Sequence, residues 1–515
     1  MILNNYNLPM NTEEILSAPW LADFKFLLPL GKQIRVLVAN TRGQTFLPHL
    51  AADVGRIDVW VTPNTETYWR KMRTVLKLSK VRLVTVPDSD YDLVFTDHYH
   101  DVLPVREAGM ICRFYKGRDI DSKEMPLPIW GIWAAWPDWP RFRILIPDNV
   151  DYQQTLEKVL LSPTRSFLSR AARSGPKLFK RVLPRQGLII HRRIDGREPP
   201  SFCERLASAL AKHQELIQLK DLPPARWLVS AGQAGKTEPV SLFTLNEKGS
   251  PEFLIKCARF PGTSQLQEEE ESLRYMVNRL GTELARQVSK PLAKVNVEGR
   301  WALAYHCESG YPFRGLRWRL IMRSNVARAL TRWLVALAYK TAHPLSENDF
   351  IEKHCAPLEH LLKQGVLPGE LRESAENTLT TLSQHRLRAF SVLEHGDLGY
   401  YNLRILDKNG HDFRIVGWGS ANWDGTPLGD LCYLLSSMQA SPKLAAQCLN
   451  TYLVNTGYPA TMVFPLWLSY MARHWKKTRG VPATIKGYHP SDNPLLRMTP
   501  LVRHYAAALG DSTAR

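Results

Sequence analysis

The chain has 515 residues, 44% hydrophobic and 23% charged, which excludes a largely disordered protein, a collagen-like repeat and a polytopic membrane protein. Lys and Arg number 67 against 49 Asp and Glu, and the resulting +18 favours anionic partners: nucleotides, nucleic acid or an anionic lipid surface. Seven scattered cysteines without Cys-x-x-Cys spacing suit free thiols in a reducing cytoplasm and argue against a zinc site or disulfide framework. The N-terminal stretch has neither a basic nor an apolar signal region, so a cytoplasmic location is expected. The length predicts two or three domains.

From residue 31, short β-branched runs alternate with helical spacing. RVLVA (35–39), IDVWVT (57–62), VRLVTV (81–86) and YDLVFTD (91–97) read as buried strands, with amphipathic segments between the first three. Strand–helix–strand repetition predicts a parallel, doubly wound α/β sheet over 1–160. The pattern resembles the class I methyltransferase-like Rossmann fold. A cofactor site of that family needs a glycine-rich first turn and a carboxylate ending the second strand. Here the first turn is Ala39-Asn40-Thr41-Arg42-Gly43, and Glu66 arrives late, so a structural, degenerate Rossmann domain is expected in place of an S-adenosylmethionine site.

Residues 161–222 read as a basic connector. Between 162 and 200 it carries ten Lys or Arg against Asp195 and Glu198. Two apolar faces, Phe167/Leu168/Ala171/Ala172 and Leu178/Phe179/Val182/Leu183, fit either short helices packed on the sheet or a segment lying peripherally on an anionic membrane. Nucleic acid is disfavoured, because aromatic platforms and a recognition motif are missing.

The pattern changes near 223. RWLVSA (226–231), a turn with Gly232 and Gly235, PVSLFTL (239–245) and PEFLIKCA (251–258) read as three strands. The two glycines would let backbone amides approach an anion. GKT at 235–237 is not a Walker loop, since Ser230 replaces the required glycine and Pro239 opens a strand instead of a helix. Lys256 falls mid-strand, where kinase-type lobes hold the α- and β-phosphates. The helix that follows offers Glu268 to Glu271 as its partner, and Glu269 lies in register with inward-facing Leu266, Leu273 and Met276.

The most informative passage is 391–435. His395-Gly396-Asp397-Leu398 is followed by Asn402 and then by Trp418, Ala421, Gly425, Pro427, Leu428, Asp430 and Leu431. This run closely resembles the catalytic loop of the aminoglycoside phosphotransferase and choline kinase-like family, over about 225–480. The resemblance implies a two-lobed protein-kinase-like fold, with lobes at 223–312 and 313–515, and ATP and Mg2+ as cofactors. It makes Asp397 the base toward an acceptor hydroxyl and Asn402 a metal ligand. Lys256 becomes the phosphate clamp, Glu269 its partner, Gly232 and Gly235 a nucleotide-binding turn, and His395 the brace of the loop.

One position departs from the family. Where it carries a metal-binding aspartate after the loop, this chain reads Ile415-Val416-Gly417-Trp418, leaving Asp424 or Asp412 as substitutes. Two functions therefore stay open: an ATP-dependent phosphotransferase acting on a small polar hydroxyl compound, impaired by Gly417, or a pseudokinase scaffold in membrane-side polysaccharide assembly. Farther on, His474, Trp475, Lys476 and Lys477 either face an anionic acceptor or form a patch beside a core helix. Nothing in the sequence indicates an oligomeric state.

Overall fold

The computed structural model describes residues 18–39, 46–88, 91–96, 109–116, 128–136, 144–150, 155, 186–192, 199–230, 239–307, 311–312, 316–385, 390–478 and 493–513. The chain divides into two compact units. The first takes Met1–Leu160, Thr164–Gln267 and Pro291–Cys307; the second takes Leu161–Pro163, Glu268–Lys290 and Glu308–Arg515. The fold is mixed α/β.

In the first unit the β-branched runs become strands β1 (Gly31–Ala39), β2 (Val54–Trp60), β3 (Val81–Val84), β4 (Leu93–Thr96) and β5 (Met110–Lys116). They are parallel, in the spatial order β3-β2-β1-β4-β5. Helix α1 (Pro63–Val75) joins β2 to β3. It starts from a capping box between Thr62 and Thr65, with Pro63 at its first position, and buries Trp69 and Met72. Alternate strand residues such as Val36, Val38, Ile57 and Val59 enter the main core, while Leu37 packs with Tyr91, Val94 and Ile111 on the opposite face.

Beyond β5 the sheet turns antiparallel. It continues through β6 (Ile129–Trp136), β7 (Ile144–Pro147), β8 (Gln186–Arg192), β9 (Trp227–Ser230), β10 (Val240–Leu245), β11 (Pro251–Cys257), β12 (Ala293–Val297) and β13 (Arg300–His306). Among the described residues this is one sheet of thirteen strands, ordered β12-β13-β11-β10-β9-β7-β6-β8-β5-β4-β1-β2-β3. The strands expected as a lobe of their own are therefore continuous with the N-terminal ones. The join is β7 to β9, at Ile144–Ser230 and Leu145–Val229, reinforced by Trp133 Nε1 donating to the Trp227 carbonyl at 2.8 Å.

The connector reading needs a correction for its C-terminal part. Gln186–Arg192 is strand β8, held between β5 and β6, and Leu188, Ile189 and Ile190 are buried. Three consecutive apolar residues covered on both faces mark an interior strand, and the flanking arginines concealed that signal. Helix α2 (Phe202–Leu210) follows, capped by Ser201 and Glu204. Both amphipathic faces proposed within 167–183 lie outside the described residues, as do Asp195 and Glu198.

Fully buried ion pairs tie the N-terminal segment to the far strands. Arg259 bonds Asp23 at 2.9 Å, Lys25 lies 2.5 Å from Asp53, and Arg300 also reaches Asp53. Burial pushes the Lys25 ammonium pKa down, and Asp53 opposes it. Removing one partner would leave a buried charge uncompensated, so these pairs pin specific elements together.

The second unit is largely helical: α3 (Gln265–Ala285, interrupted by non-helical Gly281), α4 (Leu316–Thr341), α5 (Ala356–Lys363), α6 (Gly369–His385), α7 (Gly429–Ser437), α8 (Pro442–Thr456), α9 (Val463–Thr478) and α10 (Pro494–Thr513). Two small sheets sit among them. One is β14 (Tyr311–Pro312), β17 (Leu403–Ile405) and β18 (Phe413–Ile415); the other is β15 (His343–Pro344), β16 (Phe390–Glu394) and β19 (Asn422–Gly425). Among the described residues no helix is long and apolar enough to cross a membrane.

Candidate active site

The residues 395–402 connect β16 to β17, and 416–421 connect β18 to β19, so two antiparallel pairs hold both loops. His395 acts as the brace expected of it. The Asp397 backbone N–H donates to its Nδ1 at 3.2 Å, so Nε2 carries the proton and donates to the Val416 carbonyl at 3.1 Å. Trp418 packs on the imidazole, ring centroids 4.6 Å apart, and its indole N–H donates to the Ile415 carbonyl. One histidine thus ties the first loop to the second.

Asp397 is held from two sides. The phenol of Tyr401 donates to Oδ1, and the Asn402 amide nitrogen donates to the Asp397 carbonyl at 2.7 Å and lies 3.4 Å from Oδ2. The Tyr401 hydroxyl in turn lies 2.6 Å from that of Tyr433 on α7. A carboxylate fixed this way can orient a hydroxyl and accept its proton without first being ordered.

With its nitrogen so used, Asn402 turns Oδ1 toward Gly417. That glycine adopts φ 85°, in the left-handed region, and a side-chain carbon added there would come within 2.9 Å of the amide oxygen. Position 417 is thus where a second ligand would meet Asn402, and glycine supplies none. The expected substitutes do not fill the gap. Asp424 is engaged by His343 at 3.0 Å and Lys353 at 3.1 Å, and Asp412 sits in the β17–β18 turn, its backbone bonded to Asp407 and Leu406. Among the described residues no group of three or more His, Cys, Asp or Glu could hold a metal ion. The donor set does not fit a magnesium held by carboxylates.

A buried ionic layer supports the loop. Glu394, next to His395, receives the Thr426 amide at 2.7 Å and pairs with His474 at 2.6 Å, and Arg473 lies 3.7 Å away. Burial alone would raise the Glu394 carboxyl, but His474 and Arg473 outweigh it and hold the pKa down to about 2. Asp430, at the start of α7, takes the backbone amides of His395 at 2.5 Å and Gly396 at 3.0 Å. Burial, with Glu394 nearby, pushes the pKa of its carboxyl up to about 8. His474 is therefore an interior partner of Glu394, and Trp475 is buried as well, which corrects the reading of both as part of a surface patch. The side chains of Lys476 and Lys477 lie outside the described residues.

The remaining predicted residues fall as follows. Lys256 lies on β11 in the first unit, half-buried, its ammonium 5.4 Å from the Tyr305 ring centre. Glu269 is the buried one of the candidates Glu268 to Glu271 on α3, and its carboxylate faces Gly419, where an added side-chain carbon would come within 3.2 Å of Oε2. Gly232 and Gly235 lie outside the described residues. Reading the sequence missed Tyr401, Tyr433 and Glu394, and it singled out His474 without its partner Glu394. Two tyrosines after the His-Gly-Asp motif were the available signal for the first.

No family model matches the chain, and no protein of curated function matches it. Solved structures similar to it include wild-type aminoglycoside 2'-phosphotransferase-IIIa as its GDP complex, at 15% identity over 52% of this chain and 89% of that one, with a TM-score of 0.33. Aminoglycoside phosphotransferase APH(3'')-Id of Streptomyces rimosus is 17% identical over 46% of this chain and 92% of its own, with a TM-score of 0.31. WbdD is 10% identical, covering 95% of this chain and 92% of its own, with a TM-score of 0.27. Likenesses this distant settle neither fold nor function; the functional reading rests on the geometry of the two loops.

Proposed function

We propose that the protein is a phosphotransferase of the small-molecule kinase type whose base is intact and whose metal-binding arm is lost at Gly417. Asp397 accepts the proton of an acceptor hydroxyl as that oxygen takes the terminal phosphoryl group of a nucleoside triphosphate. The nucleoside diphosphate leaves. Lys256 is assigned to the donor's phosphates. The observation that carries the reading is the double hold on Asp397 by Tyr401 and Asn402. The bare glycine at 417 favours a second reading, a pseudokinase that binds nucleotide without turning it over.

Calorimetric titration with ATP, with and without Mg2+, tests the donor site shared by both readings. ATP is expected to bind, and Lys256→Ala to weaken it at least about tenfold, as loss of a charge-assisted phosphate contact should. Absence of ATP binding in a folded protein would remove both.

A further inference from the structure

We infer that a cavity in the second unit is a binding site for a small organic anion, one bearing a carboxylate or phosphate. It measures about 420 Å³, within the range of metabolite sites, and lies between residues 352–364 and helix α9. Its charged walls are Arg473 and Lys353, whose side chains are 11% and 26% exposed. Pro357, Leu361 and Trp475 supply apolar sides that would cover a carbon skeleton.

Both cations are held in place before any ligand arrives. Arg473 donates from Nη1 to Thr426 Oγ1 at 2.9 Å and lies 3.7 Å from Glu394, while Lys353 pairs with Asp424 at 3.1 Å. These bonds use one nitrogen of the guanidinium, and its fork geometry suits bidentate capture of a carboxylate or phosphate with little ordering still to be lost. The sign of the ligand follows from the lining. A polyamine acceptor would need converging carboxylates, whereas the lining offers one, Glu352, which is exposed. Glu394 shares its charge with His474, so Arg473 is not its only counter-ion.

Arg473 also connects the cavity to the catalytic loop, because Glu394 and Thr426, which it touches, are themselves hydrogen-bonded and Glu394 adjoins His395. That the anion belongs to the phosphoryl acceptor rests on the phosphotransferase reading; the binding itself does not.

The test is calorimetry on the full chain without nucleotide, using inorganic phosphate, gluconate and, as the neutral control, glucose. Phosphate or gluconate should bind at one site and glucose should not, and which anion binds separates the phosphate from the carboxylate source. Lys353→Met and Arg473→Lys should each weaken binding at least about fivefold, Arg473→Lys by losing the fork while keeping the charge that pairs with Glu394. Failure of both anions to bind, equal binding of glucose, or wild-type affinity in both variants would overturn the site. Anion binding in a protein without phosphoryl transfer would leave the site standing and defeat only the acceptor assignment.

Discussion

The carboxylate of Asp397 meets a phenol at one oxygen and an amide near the other, and neither contact is written in the motif that betrays the residue. Histidine, glycine, aspartate and the asparagine five positions on were legible because the chemistry demands those types at that spacing. Tyr401 was not, since a tyrosine reads as packing until its hydroxyl is seen on Asp397. Glu394 and His474 were hidden for a different reason: they are eighty positions apart, and only the tertiary fold makes them a pair. Their pairing has a measurable consequence. Glu394 is held from its ordinary 4.5 down to about 2, so its ionised form stabilises the fold above about pH 4.5, and that contribution is lost as the pH falls toward 2. The drop in urea midpoint between about pH 5 and about pH 3 is therefore expected to be smaller in Glu394→Gln than in the wild type. An identical drop in both would show that His474 and Arg473 do not hold this carboxylate ionised.

At the scale of elements, β-branched runs were decisive wherever turn residues bounded them: all four parallel strands read from the first hundred residues are present, the first two starting earlier than read and the last two shorter. Strand β8 escaped because its three buried residues sit in the most basic stretch of the chain, where charge dominates any reading of local pattern. Helix α7 illustrates packing that no periodicity announces, being buried along its whole length. Its first residue, Gly429, lies so close to the Tyr470 ring that an added methyl would come within 2.2 Å of Cδ2. Gly429→Ala should therefore push α7 outward and draw Asp430 off the His395 and Gly396 amides. A loss of about 1–3 kcal/mol in chemical denaturation is expected, the usual cost of overpacking. Unchanged stability would mean that α7 can shift without strain, and that Asp430 is not a rigid support for the loop.

For the whole molecule, a basic chain of net charge +18 suggested anionic partners, and composition could not choose among them. Among the described residues Lys353 and Arg473 line one cavity, and Gly417 offers no side-chain ligand beside Asn402. The structure also replaces two expected domain boundaries with one continuous sheet, something invisible in sequence because β7 and β9 pair across the 79 residues between Pro147 and Trp227. What the molecule does then turns on Asp397 and on the glycine that faces Asn402. An aspartate at 417 has to occupy the left-handed backbone, at a cost of about 1–2 kcal/mol, and to displace the Asn402 amide oxygen 2.9 Å from its Cβ; Gly417→Ala meets both obstacles without gaining a ligand. Release of ADP from ATP with Mg2+ present is the most direct measurement, made on the wild type, Gly417→Asp, Gly417→Ala and the double variant Gly417→Asp with Asp397→Asn. Slow turnover in the wild type, an increase of at least about tenfold in Gly417→Asp but not Gly417→Ala, and a fall of about a hundredfold when Asp397 is also replaced are the expected results. Turnover that is absent from every variant, or indifferent to Asp397, would contradict the assignment of this loop as a phosphoryl-transfer site.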